Sequence, residues 1–96
     1  MRFQYHPEAA KELTSSIEYY EKKSLGLGAD FLDEIEDTIA QALAHPDSGF
    51  LLTKQDRRLL LDRFPYEIIY EVSGNMITIN AVKHLRRKPG YWKSRK

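Results

Sequence analysis

Ninety-six residues, 42% hydrophobic and 30% charged, describe a chain that folds around one core, since so short a chain buries too little surface for two. No apolar run approaches the roughly 20 residues of a membrane helix, and the opening MRFQYHPEAAKEL lacks a signal-peptide core, so the cytoplasm is the expected compartment. Cysteine is absent, which excludes disulfides and thiolate metal sites; the net charge of +1 conceals nine acids against three lysines from Pro7 to Ala44, then seven Lys or Arg and no acid from Lys83 to Lys96.

Arg2 to Tyr5 reads as a first strand with Phe3 and Tyr5 on one side. Pro7 suits the first position of a helix and Glu8 favours its N-terminal end. Ala10, Leu13, Ile17 and Tyr20 then recur at spacings of three and four, down to an end near Ser24. Gly26-Leu27-Gly28 reads as a break, with Asp30 capping a second helix or loading its first turn. The second apolar stripe is Phe31, Leu32, Ile35, Ile39, Ala42 and Leu43. His45-Pro46 ends it, because the residue before a proline is pushed out of helical geometry. So short a connection predicts an antiparallel helical hairpin. Asp47, Ser48 and Gly49 are turn formers, and Phe50-Leu51-Leu52 is expected as a loop draped over the core edge.

Arg57 to Phe64 reads as the second strand, ended by Pro65. Its unbroken Leu59-Leu60-Leu61 leaves the inward face open, and a bulge or an edge position would account for the run. From Arg63 to Val82 the pattern is clearer: Tyr66, Ile68, Tyr70 and Val72 alternate with Glu67, Ile69 and Glu71. Ile77, Ile79 and Ala81 then alternate with Thr78 and Asn80. Ser73-Gly74-Asn75 joins the two strands, with Gly74 and Asn75 both able to take positive φ. An isolated hairpin is marginal in water and needs its apolar face covered. The order strand, helix, helix, strand, strand, strand predicts an α+β domain over residues 1–96: an N-terminal strand, a two-helix hairpin and a three-stranded antiparallel sheet packed on it (β-α-α-β-β-β), with residues 83–96 as a basic C-terminal arm.

The residues in this order resemble the RelE/ParE superfamily of toxins from type II toxin-antitoxin modules. The likeness is carried by the early acidic helix with Tyr19 and Tyr20, GLGADFLDEIE, HPDSG, RRLLLDRFPYEIIY, ITINAVKH and RRKPGYWKSR, and HLRRKPGYW is similar to the branch often called plasmid stabilisation proteins. The resemblance implies a bacterial growth inhibitor with a shallow groove, held in check by a cognate antitoxin that wraps it. Two modes of action are implied by the superfamily. RelE-like members cut mRNA in the ribosome without a metal; ParE-like members bind DNA gyrase and block it.

Metal-free RNA cleavage needs a base for the 2′-hydroxyl, cations for the phosphorane and an acid for the leaving oxygen. His84 and Glu67 are candidates for base or acid. Arg63, with Arg57, Arg58, Arg86 and Arg87, is a candidate for phosphate, and Tyr91 for base stacking or proton donation. One position departs from the RNase pattern: the strand motif aromatic-X-apolar-apolar-Tyr usually carries arginine at X, where this chain has Glu67. The departure tilts the expectation toward gyrase. Plain structural roles are open beside these: Glu67 and Glu71 as a solvated strand face pairing with Arg57 to Arg63, His84 as a turn hydrogen bonder, His6 and His45 as helix caps, Tyr19 and Tyr20 as helix packing, Tyr91 and Trp92 as an apolar lid on the sheet. Target contact is assigned to Arg57, Arg58, Lys83, Arg86, Arg87, Lys88, Trp92, Lys93 and Arg95, because uncompensated cations serve best against an anionic surface, whether rRNA, DNA held by gyrase or an acidic antitoxin. Three scattered histidines without HxH or HExxH spacing predict no metal, and no cofactor or membrane partner is expected.

Overall fold

The first strand pairs with the last. In the computed structural model, which describes residues 1–95, β1 (Arg2–Tyr5) runs parallel to β5 (Met76–His84), with Phe3 opposite Ile77 and Tyr5 opposite Ile79. Between them come α1 (Pro7–Lys23), α2 (Leu27–Ala44), β2 (Phe50–Leu51), β3 (Asp56–Leu60) and β4 (Tyr66–Ser73), and the sheet order is β1-β5-β4-β3-β2. The α+β class stands as expected, and the element order does so apart from one added strand. The sheet has five strands rather than three, because β1 joins it in parallel and Phe50–Leu51, expected as a loop over the core, is an exposed edge strand paired with Arg57 and Arg58. Two consecutive hydrophobes outside the core carry no periodic signal, so this strand is invisible to pattern reading.

His6 caps α1, its Nδ1 accepting from the Glu8 N–H at 3.1 Å, with Pro7 at the first helical position. Lys22 and Lys23 close the helix near its negative end. The second helix starts at Leu27, earlier than Asp30 implied. Glu21 explains this: its carboxylate reaches forward across the turn and accepts from the backbone N–H of Gly26 and of Gly28, all at 3.0–3.1 Å, supplying the partners that a capping side chain would. Gly28 is needed for helix contact, since a Cβ there would lie 2.8 Å from the Ile17 carbonyl oxygen.

Tyr66, Ile68 and Tyr70 on β4 and Ile77, Ile79 and Val82 on β5 face the helices and pack with Ala9, Phe31, Ile35, Ile39 and Ala42. Each such aliphatic or aromatic burial contributes about 1.5–3 kcal/mol. Tyr20 stacks on Phe31 at 5.2 Å and meets Phe64 edge-on at 4.8 Å, so it belongs to the core, whereas Tyr19 is exposed beneath Lys23. Tyr70 is fully buried, and its hydroxyl donates to the Pro46 carbonyl and accepts from the Gly49 N–H, pinning the turn after α2. The leucine run resolves by position: Leu59 packs on the core, Leu60 points away from it, and Leu61 is buried just past the strand.

A bulge changes which face Ala81 takes. Ile69 opposes Ala81 and Tyr70 opposes Ile79, leaving Asn80 as an extra residue on β5. Ile77 and Ile79 therefore face the helices, but Ala81, expected beside them, lies on the other face with Ile69 and Trp92. In the hairpin loop only Gly74 takes positive φ, at 59°, so the two-residue connection Gly74-Asn75 needs glycine at its first position alone.

Candidate functional site

The sheet face turned away from the helices is partly roofed by the C-terminal arm. Trp92 is 4% exposed and rests on Ile69 and Ala81, which settles the open choice for this residue in favour of packing. Beside it remains a cleft of about 530 Å³ with an apolar floor that includes Leu60, Ile69 and Trp92, and with Arg58, Lys83 and Lys93 on its walls. At the bottom sits Glu67. It is 4% exposed, not on a solvated face, with one oxygen 3.5 Å from Arg58 and the other 3.3 Å from Lys83. Lys83 is itself 5% exposed and also donates to the His84 carbonyl at 3.3 Å. The two inner cations of the cleft thus already share a carboxylate supplied by the chain.

A second carboxylate organises the arm from the far side. β1 stops opposite Ile79, so the outer edge of β5 beyond that point has no strand neighbour. Glu12, projecting from α1, accepts from the Val82 N–H there at 3.1 Å, and Arg95 donates to the Asn80 carbonyl at 2.9 Å. Arg95 also grips Glu12 with both terminal nitrogens at 2.8 and 3.0 Å, Arg87 donates to it at 3.0 Å and the Tyr91 hydroxyl at 2.6 Å. Tyr91 lies under the Arg87 guanidinium, 3.8 Å from ring centroid to carbon, with Arg95 at 4.9 Å. Burial first, then the hydrogen bond to Glu12 and its charge, push the Tyr91 hydroxyl well above the ordinary tyrosine range; the bond to Glu12 raises Arg95 further. Both groups stay protonated and donating.

The four residues considered for RNA chemistry are not all brought together: His84 lines a pocket with Glu12, Arg87 and Arg95, the cluster that holds Tyr91, while Glu67 and Arg63 lie elsewhere. Tyr66 and His84 are a cross-strand pair on the helix side, rings 5.1 Å apart, and the His84 Nδ1 accepts from the Arg86 N–H at 3.0 Å, the turn role considered for it. Glu67 and Lys83, the next pair along, point to the opposite face. Tyr91 is held by Glu12. Arg63 stands beyond β3, its N–H donating to Glu34 at 2.8 Å and its guanidinium 3.8 Å from Asp30.

The cations assigned to target contact divide into two sets. Arg57 donates to the carbonyls of Asp47 and Gly49, Lys83 is buried and Arg95 partly buried in ion pairs, and Trp92 is packed away. Arg86, Lys88 and Lys93 are exposed, and among the described residues none of them forms an ion pair; Arg58 and Arg87 are half-exposed and paired. Lys96 lies outside the described residues. The acid missed by pattern reading is Glu12, although a trace of it exists: Ala9, Glu12 and Ser16 fall at helical spacing on a buried line, and an acid there needs a partner. Asn80 was passed over too. Its Nδ2 donates to Asp56 at 3.3 Å and Glu71 at 3.0 Å, which gives Glu71 a partner other than the β3 arginines. Among the described residues no helix is long and apolar enough to cross a membrane.

Comparison with known proteins supplies the family. No curated protein matches the chain. A solved structure described as the chromosomal ParDE TA system from P. aeruginosa is 22% identical, with a TM-score of 0.64 over 88% of this chain and 95% of that one, a likeness of fold. The model for the ParE toxin of type II toxin-antitoxin system, parDE, matches residues 3–89, nearly the whole length, and by that match the chain belongs to the ParE toxin family.

Proposed function

We propose that the protein is a growth-inhibiting toxin that works by binding DNA gyrase, restrained by a cognate antitoxin, and not by cutting mRNA on the ribosome. The observation that carries this reading is the separation of Glu67 and of Arg63 from the neighbourhood of His84 and Tyr91, each of the four being already held by partners of its own. General acid–base chemistry on a phosphodiester requires its groups within hydrogen-bond reach of one substrate. A phosphate entering the cleft would also have to displace Glu67 from Arg58 and Lys83. Binding needs no such constellation. It needs a rigid surface, and the arm folded on the sheet supplies one.

The antitoxin in this reading lays an amphipathic segment into the cleft, apolar side chains on Leu60 and Ile69 and acidic ones against Arg58 and Lys93. The target assignment is tested by incubating the purified protein with gyrase and plasmid. Lost supercoiling and trapped cleaved DNA are expected; unaffected supercoiling at high protein concentration, together with cuts at the ribosomal A site in toe-printing, would replace it with the ribonuclease reading.

A further inference from the structure

The arm places its residues in two groups whose compositions differ in kind. Turned inward are the aromatic Trp92 and Tyr91 and the paired cations Lys83 and Arg95. Left outside are Arg86, Arg87, Lys88, Lys93 and Ser94, with Leu85 and Pro89 among them, and no acid occurs between Lys83 and Lys96. A surface built to grip protein would show the reverse, because protein interfaces concentrate aromatic side chains at their centre and are depleted in lysine. Lysine, arginine and serine with no exposed aromatic side chain, and Leu85 as the one large aliphatic among them, are instead the composition that contacts nucleic-acid phosphates.

The arm is also fixed in shape although it has no helix or strand. Arg87 N–H bonds the His84 carbonyl, Lys93 N–H the Gly90 carbonyl and Arg95 N–H the Trp92 carbonyl, all at 3.0–3.1 Å, and the Glu12 grip and buried Trp92 anchor both flanks. Cations displayed on a pre-ordered segment lose little entropy on binding. Opposing charge is partly spent: Glu12 is engaged by Arg87 and Arg95, and Glu67 by Arg58 and Lys83. Lys93 also borders a pocket containing Asp56 and Glu71 and Arg87 is paired with Glu12, so Arg86 and Lys88 lead the contact, with Lys93 beside them.

We infer that the outward face of the arm is a phosphate-contact surface for double-stranded DNA, the DNA that gyrase holds, with Glu12 as the residue that positions it. The inference rests on the gyrase reading for its setting but makes a separate physical claim: the toxin touches the nucleic acid directly, without reading its sequence. Phosphate contacts release counterions, so log affinity should fall with log salt by about 0.9 per contact, a slope of about −3 to −4 for this set.

The test uses the full chain and a fluorescent duplex of about 20 bp, followed by anisotropy between about 50 and 200 mM salt. The triple variant R86A/K88A/K93A should weaken binding and flatten the slope by about 3. Its fold is checked through Trp92, the single tryptophan of the chain, whose emission should not move. In the gyrase assay the same variant should need at least tenfold more protein. E12Q should weaken duplex binding too, with a red-shifted Trp92 emission, and E12D should recover part of both. Absence of duplex binding by the unmodified chain, or an unchanged slope in the triple variant, overturns the inference. So does tighter binding to an RNA duplex of the same sequence. Full gyrase inhibition by the triple variant overturns it while leaving the gyrase reading intact; duplex binding without any effect of the unmodified chain on gyrase removes the gyrase setting and leaves the phosphate surface standing.

Discussion

Glu12 and Glu67 are both acids withdrawn from solvent between two cations, yet they are served very differently. Glu12 accepts five hydrogen bonds of 2.6–3.1 Å from three side chains and a backbone N–H, including both terminal nitrogens of Arg95. Glu67 has two contacts, at 3.3 and 3.5 Å, near the limit of useful geometry. A buried carboxylate with excellent geometry can offset its desolvation; one with long contacts does so incompletely. The lesson is that one acid holds the architecture and the other sets the character of the cleft, by cancelling charge where the ribonuclease pattern would have an arginine.

The sharpest way to break this contrast is Glu12→Ala. It strands Arg95 beside Asn80 and frees the arm, and an expected loss of about 3–5 kcal/mol would be read from urea unfolding. A loss no larger than that of Glu67→Gln would erase the distinction. Tyr91→Phe should come next, costing about 1.5 kcal/mol for one charge-assisted bond. It carries a pH signature as well. Because the folded state holds the Tyr91 proton above the ordinary tyrosine pKa of about 10, the unfolded chain binds fewer protons as pH rises through and beyond that value, and the contribution present below it is lost on the alkaline side. Stability curves of the native chain and of Tyr91→Phe should therefore converge above about pH 10. Glu67→Gln is expected to cost about 1 kcal/mol, and to raise affinity for a phosphate-bearing oligonucleotide by releasing Arg58 and Lys83 from their carboxylate. Lys11→Ala, which removes only the exposed pair with Glu8, should leave the melting temperature unchanged and so mark the floor of the series.

Much of the fold was legible because it rests on local period. Both helices, the β4–β5 hairpin and the core stripe Phe31, Ile35, Ile39 follow from spacing, and the His6 cap from its neighbours. What escaped depends on partners far along the chain. The Glu21 carboxylate starts α2 early, the Asn80 bulge sends Ala81 to the other face, and Glu12 meets Arg87, Tyr91 and Arg95 only once the sheet exists. The cations were legible as a composition; which of them are spent internally was not, since pairing is a property of three-dimensional placement and not of charge density. Resemblance supplied the family, while the local reading of Glu67 as solvated failed because Trp92 and the arm fold over its face.

The parallel pairing of β1 with β5 has a temporal meaning. The strand partners of Arg2 and Phe3, Met76 and Ile77, follow them by 74 positions, and Glu12 waits for Arg95, which follows it by 83. At about 5–20 residues per second, that wait is roughly 4–17 s. Throughout it the nascent polypeptide lacks the grip that orders the arm, so the surface proposed for the target is assembled only after Arg95 has been added.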